Sequence, residues 1–148
     1  MERILVDSIY LLPMLGVSVS GVDRVLQVLE NLYRSSAIEI YYAHFSILEI
    51  IGKLSKMKYD LNIVEAGLNS IMENFKSVFP TPRSYLMALK LKSMGFRDLI
   101  DLLLHTTSLE NNLKMLTRDK ELVEFLERVG EKKTSAIILE EEFLEAHI

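Results

Sequence analysis

Short runs of apolar residues alternate along this chain with stretches in which apolar residues have helical spacing. Of all its sequence features, this alternation most restricts the folds that the chain can adopt. The run Ile4-Leu5-Val6 is continuously apolar, which is typical of a strand buried on both faces of a sheet. From Val22 to Leu32, in contrast, apolar residues recur at the spacing of one helix face. Strands that alternate with helices favour a parallel sheet covered on both faces. The sequence therefore predicts an α/β fold.

The same reading predicts the other elements in order. Thr81 is a good helix N-cap with Pro82 at the first helical position, and Gly95 marks the end of the helix that follows. A turn or short helix is expected around Leu11–Leu15. The predicted strands are Arg3–Ser8, Ile38–Tyr42, Lys114–Arg118 and Ser135–Leu139. The predicted helices begin near Val22, Phe45, Ile63, Pro82, Arg97, Lys120 and Glu140.

Composition excludes several classes of protein. The chain has no cysteine, so disulfides and thiolate metal sites are excluded. No apolar run approaches the roughly 20 residues of a membrane span, and the N-terminus has no secretory pattern. The net charge of -4 argues against generic nucleic-acid binding, which depends on neutralising phosphates. We expect one globular, cytoplasmic domain over residues 1–148, without membrane contact.

Four carboxylates interrupt or close apolar segments. Asp7 ends the first predicted strand and Asp119 follows a later one, and ligands of open α/β sheets bind at such strand ends. Glu49 and Asp101 lie within apolar stretches predicted to be helical. An unpaired buried carboxylate costs several kcal/mol, so a bound divalent cation is the simplest compensation. The sequence therefore predicts that the four acids form one metal site.

The expected metal is Mg²⁺ or Mn²⁺, because these ions prefer oxygen ligands and keep positions open for a phosphate. Two such ions about 4 Å apart can activate a water and stabilise the leaving oxygen of an in-line displacement. This chemistry needs no cysteine, serine or histidine nucleophile. A metal-dependent reaction on a phosphate is therefore the leading hypothesis for the chain.

The ordered set of acidic motifs resembles PIN-domain ribonucleases, including small toxins of the VapC type. The motifs are Ile4-Leu5-Val6-Asp7-Ser8, Ser46-Ile47-Leu48-Glu49, the run from Asp101 to Ser108, and Met115-Leu116-Thr117-Arg118-Asp119. The most specific part is an aspartate in an apolar helix, followed eighteen residues later by a strand that ends Thr-Arg-Asp. The resemblance covers nearly the whole chain.

The resemblance implies a three-layer α/β/α sandwich with a mostly parallel central sheet of four to five strands. It implies Mg²⁺- or Mn²⁺-dependent hydrolysis of RNA phosphodiesters by a catalytic, metal-binding quartet, with two hydroxyls in support. The quartet would be Asp7, Glu49, Asp101 and Asp119, and the supporting residues Ser8 and Thr117. It also implies a homodimer and an antitoxin partner, as in toxin–antitoxin pairs.

One residue departs from the family pattern and keeps an alternative open. After the first aspartate the family has a threonine and then a small polar residue, whereas this chain has Ser8 and Ile9. The alternative is a PIN-fold interaction or scaffold domain without catalytic activity. A haloacid-type phosphatase would need an aspartate at position 9, and a receiver domain would need a paired acid at the first strand. Neither of these is supported.

Structural roles are also expected for several polar residues. Asp119 could cap the helix that starts at Lys120, and Asp98 is expected at the start of its own helix. His105 is expected to be a hydrogen-bonded helix histidine. The run Glu140-Glu141-Glu142 is expected to be a solvated helix start, and residues 131–133 a loop. The basic residues nearest to the predicted site are Arg83, Lys90, Lys92, Arg97 and Arg118.

Overall fold

A computed structural model describes residues 1–131 and 136–147 of the chain. It divides into two compact units, Met1–Val78 and Phe79–Ile148. The prediction that residues 1–148 form a single domain stays a prediction. Most of the loop predicted at 131–133, and Ser135 of the last predicted strand, lie outside the described residues.

The first unit contains three parallel strands in the order β3-β2-β1. They are β1 (Glu2–Val6), β2 (Ile38–Ala43) and β3 (Lys76–Val78). Ile4 pairs with Ile40, and both are buried. The continuous apolar run of β1 is explained by this burial, because its last three residues are all inaccessible to solvent.

Helices and short turns complete the first unit. The helices are α1 (Asp23–Arg34), α2 (His44–Leu54) and α3 (Leu61–Asn74), and two 3₁₀ turns span Ser8–Tyr10 and Leu12–Leu15. Helix α3 packs on the second of these turns through Gly67. A Cβ on Gly67 would lie 2.2 Å from the carbonyl oxygen of Met14, so only glycine allows this approach.

The second unit contains two parallel strands and four helices. The strands are β4 (Lys114–Thr117) and β5 (Ile137–Leu139), and the helices are α4 (Pro82–Ser93), α5 (Leu99–Glu110), α6 (Lys120–Arg128) and α7 (Glu140–Ala146). Thr81 and Ser84 form the capping box of α4, which confirms the predicted helix start. The buried Thr106 hydroxyl donates to the Ser84 carbonyl at 2.8 Å and joins α5 to α4.

The predicted α/β class is confirmed, and every strand pairing within the two units is parallel across the described residues. Of the strands that the structure describes, only β3 was not predicted, because Lys76 and Ser77 are exposed and a three-residue strand carries no hydrophobic pattern. The described helices include none that is both long enough and apolar enough to cross a membrane.

Candidate active site

The first unit brings two of the four predicted acids together through a serine. Asp7 follows the last residue of β1, and Ser8 begins the next 3₁₀ turn. The buried Ser8 hydroxyl donates to Glu49 Oε1 at 2.6 Å and lies 3.4 Å from Asp7 Oδ1. A hydroxyl has only one proton to donate, and the shorter distance shows that this proton goes to Glu49. Glu49 reaches this point from α2, which begins directly after β2, the parallel neighbour of β1.

The second unit places the other two acids at helix starts. Asp119 caps α6 by accepting from the Leu122 backbone N–H at 3.2 Å, and its own N–H donates to Thr117 Oγ1 at 3.1 Å. Thr117 is completely buried, so its hydroxyl fixes the backbone that carries Asp119. Asp101 lies in the first turn of α5, where its N–H donates to the capping carboxylate of Asp98. The capping role predicted for Asp119 is confirmed, and Asp98 lies at the start of its helix as predicted, where it is the N-cap.

An arginine lies beside Asp119. Arg97 Nη2 is 3.9 Å from Asp119 Oδ2, and Arg97 Nη1 forms an ion pair with Glu121. Lys92 holds the loop that carries this arginine, because its ammonium donates to the carbonyl of Phe96 at 2.8 Å. Of the basic residues named from the sequence, Arg97 is thus placed at Asp119, and Lys92 has a structural role.

A second cation next to Asp119 is held by the acidic helix α7. Arg118 donates to Glu140 through Nε at 2.9 Å and through Nη2 at 3.3 Å, and the Glu140 side chain is only 13% exposed. Glu140 is therefore not a solvated residue, which corrects the expectation at this position, whereas Glu141 and Glu142 are exposed as expected. Glu141 pairs with Lys120, and the hydrogen bond between them raises the pKa of Lys120. The parallel register explains these contacts, because Thr117 pairs with Leu139 and the following residues leave the strands side by side.

The four predicted acids are half-buried and not fully buried. Desolvation is therefore a smaller cost than the apolar sequence around them suggested, and compensation by a cation is not required by burial alone. The structure brings Asp7 and Glu49 together, and it holds Asp119 beside Arg97. The convergence of all four acids on one site stays a prediction.

The ligand atoms at this site are of the type that a hard cation prefers, but too few of them are grouped together. Asp7, Ser8 and Glu49 offer only oxygen atoms, which Mg²⁺ and Mn²⁺ prefer. Among the described residues, however, no three Asp, Glu or His side chains are grouped so that they could hold a metal ion. The oxygen donors therefore fit the expected metal. Asp7, Ser8 and Glu49 do not by themselves form a complete set of metal ligands.

His105 differs from its expectation. It is only 1% exposed, and neither ring nitrogen has a hydrogen-bond partner among the described residues. Burial lowers the pKa of this imidazole from 6.5 to about 4. The prediction of a hydrogen-bonded histidine is therefore wrong. His105 is a neutral, buried ring of the second unit at physiological pH.

Comparison with solved structures identifies the fold. One similar structure is VapBC2 from Rickettsia felis, bound to a DNA fragment from its promoter. The match covers 93% of this chain and 97% of that chain, with TM-score 0.65 and 14% sequence identity. PAE2754 from Pyrobaculum aerophilum matches 98% over 88%, with TM-score 0.60 and 17% identity. VapBC-5 from Mycobacterium tuberculosis, of the VapBC family of toxin–antitoxin systems, matches 94% over 98%, with TM-score 0.55 and 12% identity.

These likenesses show the fold, and they confirm the predicted PIN-like architecture of the VapC type. No protein-family model matches the chain, and no curated protein sequence matches it either. The activity of the chain has therefore to be argued from its own residues.

Proposed function

We propose that this chain, which has a VapC-like PIN-domain fold, is a Mg²⁺- or Mn²⁺-dependent endoribonuclease. The observation that carries the proposal is the junction after β1, where the Ser8 hydroxyl joins the carboxylates of Asp7 and Glu49. Two acids and a hydroxyl at the carboxyl end of a parallel strand offer oxygen ligands where ligands of α/β folds bind. Asp101 and Asp119 would supply the remaining acids.

The residues of the chain divide the work of this site. Asp7, Glu49, Asp101 and Asp119 would hold the metal, which when bound supplies an activated water and charge for the phosphate. Ser8 orients the carboxylate of Glu49, because its short hydrogen bond fixes one of the two oxygens. Thr117 orients Asp119 through the backbone bond already described. Hydrolysis of the RNA phosphodiester then places the leaving oxygen on one fragment and the phosphate on the other.

The fold likeness supports a toxin–antitoxin setting for this activity. Two of the compared structures are VapBC assemblies, and the second of them is described as a toxin–antitoxin system. We propose an antitoxin protein as a partner, RNA as the substrate, a homodimer as the assembly and the cytoplasm as the location. Each of these four statements is inferred from the structural similarity and is part of the proposal.

The deciding experiment is Mn²⁺-dependent cleavage of a labelled structured RNA. We expect cleavage by the wild type and none by Asp7→Asn or Asp101→Asn, with the fold of each variant checked by circular dichroism. Asp23→Asn is the matched control, because Asp23 is exposed at the start of α1 and loses the same charge. Full activity in both site variants would refute the mechanism.

A second function is favoured by two observations. The described residues contain no group of three acids or histidines that could hold a metal, and Ile9 replaces the small polar residue of the family pattern. A PIN-fold interaction domain without activity is consistent with both. Calorimetry with Mn²⁺ separates the two functions, since an interaction domain without activity would bind no metal. Metal binding that is lost in Asp101→Asn supports the nuclease.

A further inference from the structure

A cavity of about 320 Å³ lies between helix α1 and the sheet of the first unit, and we call it the α1 cavity. Its floor is Val6 of β1 and Ile40 of β2, and one wall is Leu26 and Leu29 of α1. Its volume falls in the range of small-molecule pockets.

The opposite wall of the cavity is a rigid piece of backbone. It consists of Tyr10, Leu11 and Met14, which belong to the consecutive 3₁₀ turns after β1. Each turn is closed by its own backbone hydrogen bond, from Leu11 N to Ser8 O at 3.0 Å and from Met14 N to Leu11 O at 3.1 Å, and the two turns share Leu11 as a cap. These local hydrogen bonds fix the backbone of the wall.

Two aromatic rings are half-buried parts of the lining, and we call this side of the cavity its mouth. Tyr33 and Phe75 both line the cavity and meet edge to face, with ring centroids 5.9 Å apart. The Tyr33 hydroxyl donates to the Asn74 carbonyl at 3.1 Å, which ties the end of α1 to the residue before Phe75. A lining that contains aromatic rings suits a flat ligand better than a branched one, because aromatic groups pack edge to face and offset-stacked.

One charge is present in the lining. Glu30 is the single ionised side chain among the lining residues of the described cavity, and it lies at an exposed position of α1. Arg34 forms an ion pair with it at 2.5 Å, but both side chains are more than half exposed, so this pair is weak. A carboxylate at an apolar mouth attracts a cationic group and repels an anionic one.

We propose that the α1 cavity binds a small aromatic amine, with the ring in the apolar interior and the ammonium at Glu30. Water in an apolar cavity makes few hydrogen bonds, so its displacement by a ring favours binding. The site is built entirely from the first unit and does not use the acids of the proposed nuclease. Its failure and the failure of that function are therefore separate outcomes.

The chain itself provides a clean assay for this proposal. It contains no tryptophan, so the fluorescence of an indole ligand, excited at wavelengths that tyrosine does not absorb, is free of protein background. Tryptamine and indole-3-propionate are matched probes, because they share the ring and carry opposite charges. We expect saturable tryptamine binding with one site and a Kd of about 0.1 to 1 mM. Indole-3-propionate should bind about fivefold more weakly.

Two variants test the two parts of the site. Leu26→Phe adds a ring to the wall and should abolish binding of both probes. Glu30→Gln should remove the preference for tryptamine while both probes still bind, and its exposed position leaves folding intact. Glu65→Gln is the matched control, because it removes an exposed carboxylate of the same unit outside the cavity lining. No saturable binding, or an unchanged charge preference in Glu30→Gln, would overturn the proposal.

Discussion

The buried imidazole of His105 makes the stability of the protein depend on pH. The folded chain holds this ring at a pKa of about 4, whereas an unfolded chain has the ordinary value of 6.5. Between these values the unfolded state binds a proton that the folded state does not. The free energy of unfolding therefore falls as the pH falls from 6.5 towards 4.

The size of the effect follows from the two pKa values. Each pKa unit corresponds to 1.36 kcal/mol, so the full window corresponds to about 3 kcal/mol. Between pH 7 and pH 5 the loss assigned to His105 is about 2 kcal/mol. This is a large part of the 5 to 15 kcal/mol that stabilises a typical domain.

The assay is urea unfolding at pH 7 and pH 5, for the wild type and for His105→Leu. Carboxylates also titrate towards low pH, so the difference between the two proteins is the quantity to measure. The wild type should lose about 2 kcal/mol more than the variant on going from pH 7 to pH 5. His105→Leu should be at least as stable as the wild type at pH 7, because it removes two buried nitrogens that have no partner among the described residues. An identical pH dependence in both proteins would refute the buried neutral imidazole.

Three other predictions concern packing, capping and metal. Gly67→Ala should lower the free energy of unfolding by about 3 kcal/mol, because the new Cβ collides with the backbone at Met14. Gly52→Ala in α2, where a Cβ meets nothing within 4 Å, should instead stabilise by up to about 1 kcal/mol, and chemical denaturation of both variants checks the contrast. Thr81→Ala should cost about 1 kcal/mol through loss of the α4 capping box, and an unchanged unfolding midpoint would contradict this. Millimolar Mn²⁺ should raise the melting temperature of the wild type if the proposed metal site exists, and the absence of a shift counts against that site.

Local signals in the sequence determined most of the elements and several of their ends. Thr81 and Pro82 started α4, and Asp119 capped α6, because a cap depends on residues only two or three positions away. The apolar run of β1 indicated a strand buried on both faces, and the spacing after Val22 indicated a helix with one apolar face. The order of the four acids pointed to the PIN-like fold, which the solved structures then showed.

Contacts between distant residues were decided only by the tertiary structure. Ser8 and Glu49 are 41 residues apart, and their hydrogen bond exists because β1 and β2 are parallel neighbours. Arg118 meets Glu140 for the same reason, since the register of β4 and β5 brings residues 22 apart to one edge. The polar character of His105 suggested a hydrogen bond, but the packing of α5 leaves no partner for the ring among the described residues. Periodicity reports the face on which a residue lies, whereas its neighbour on that face depends on strand order and register.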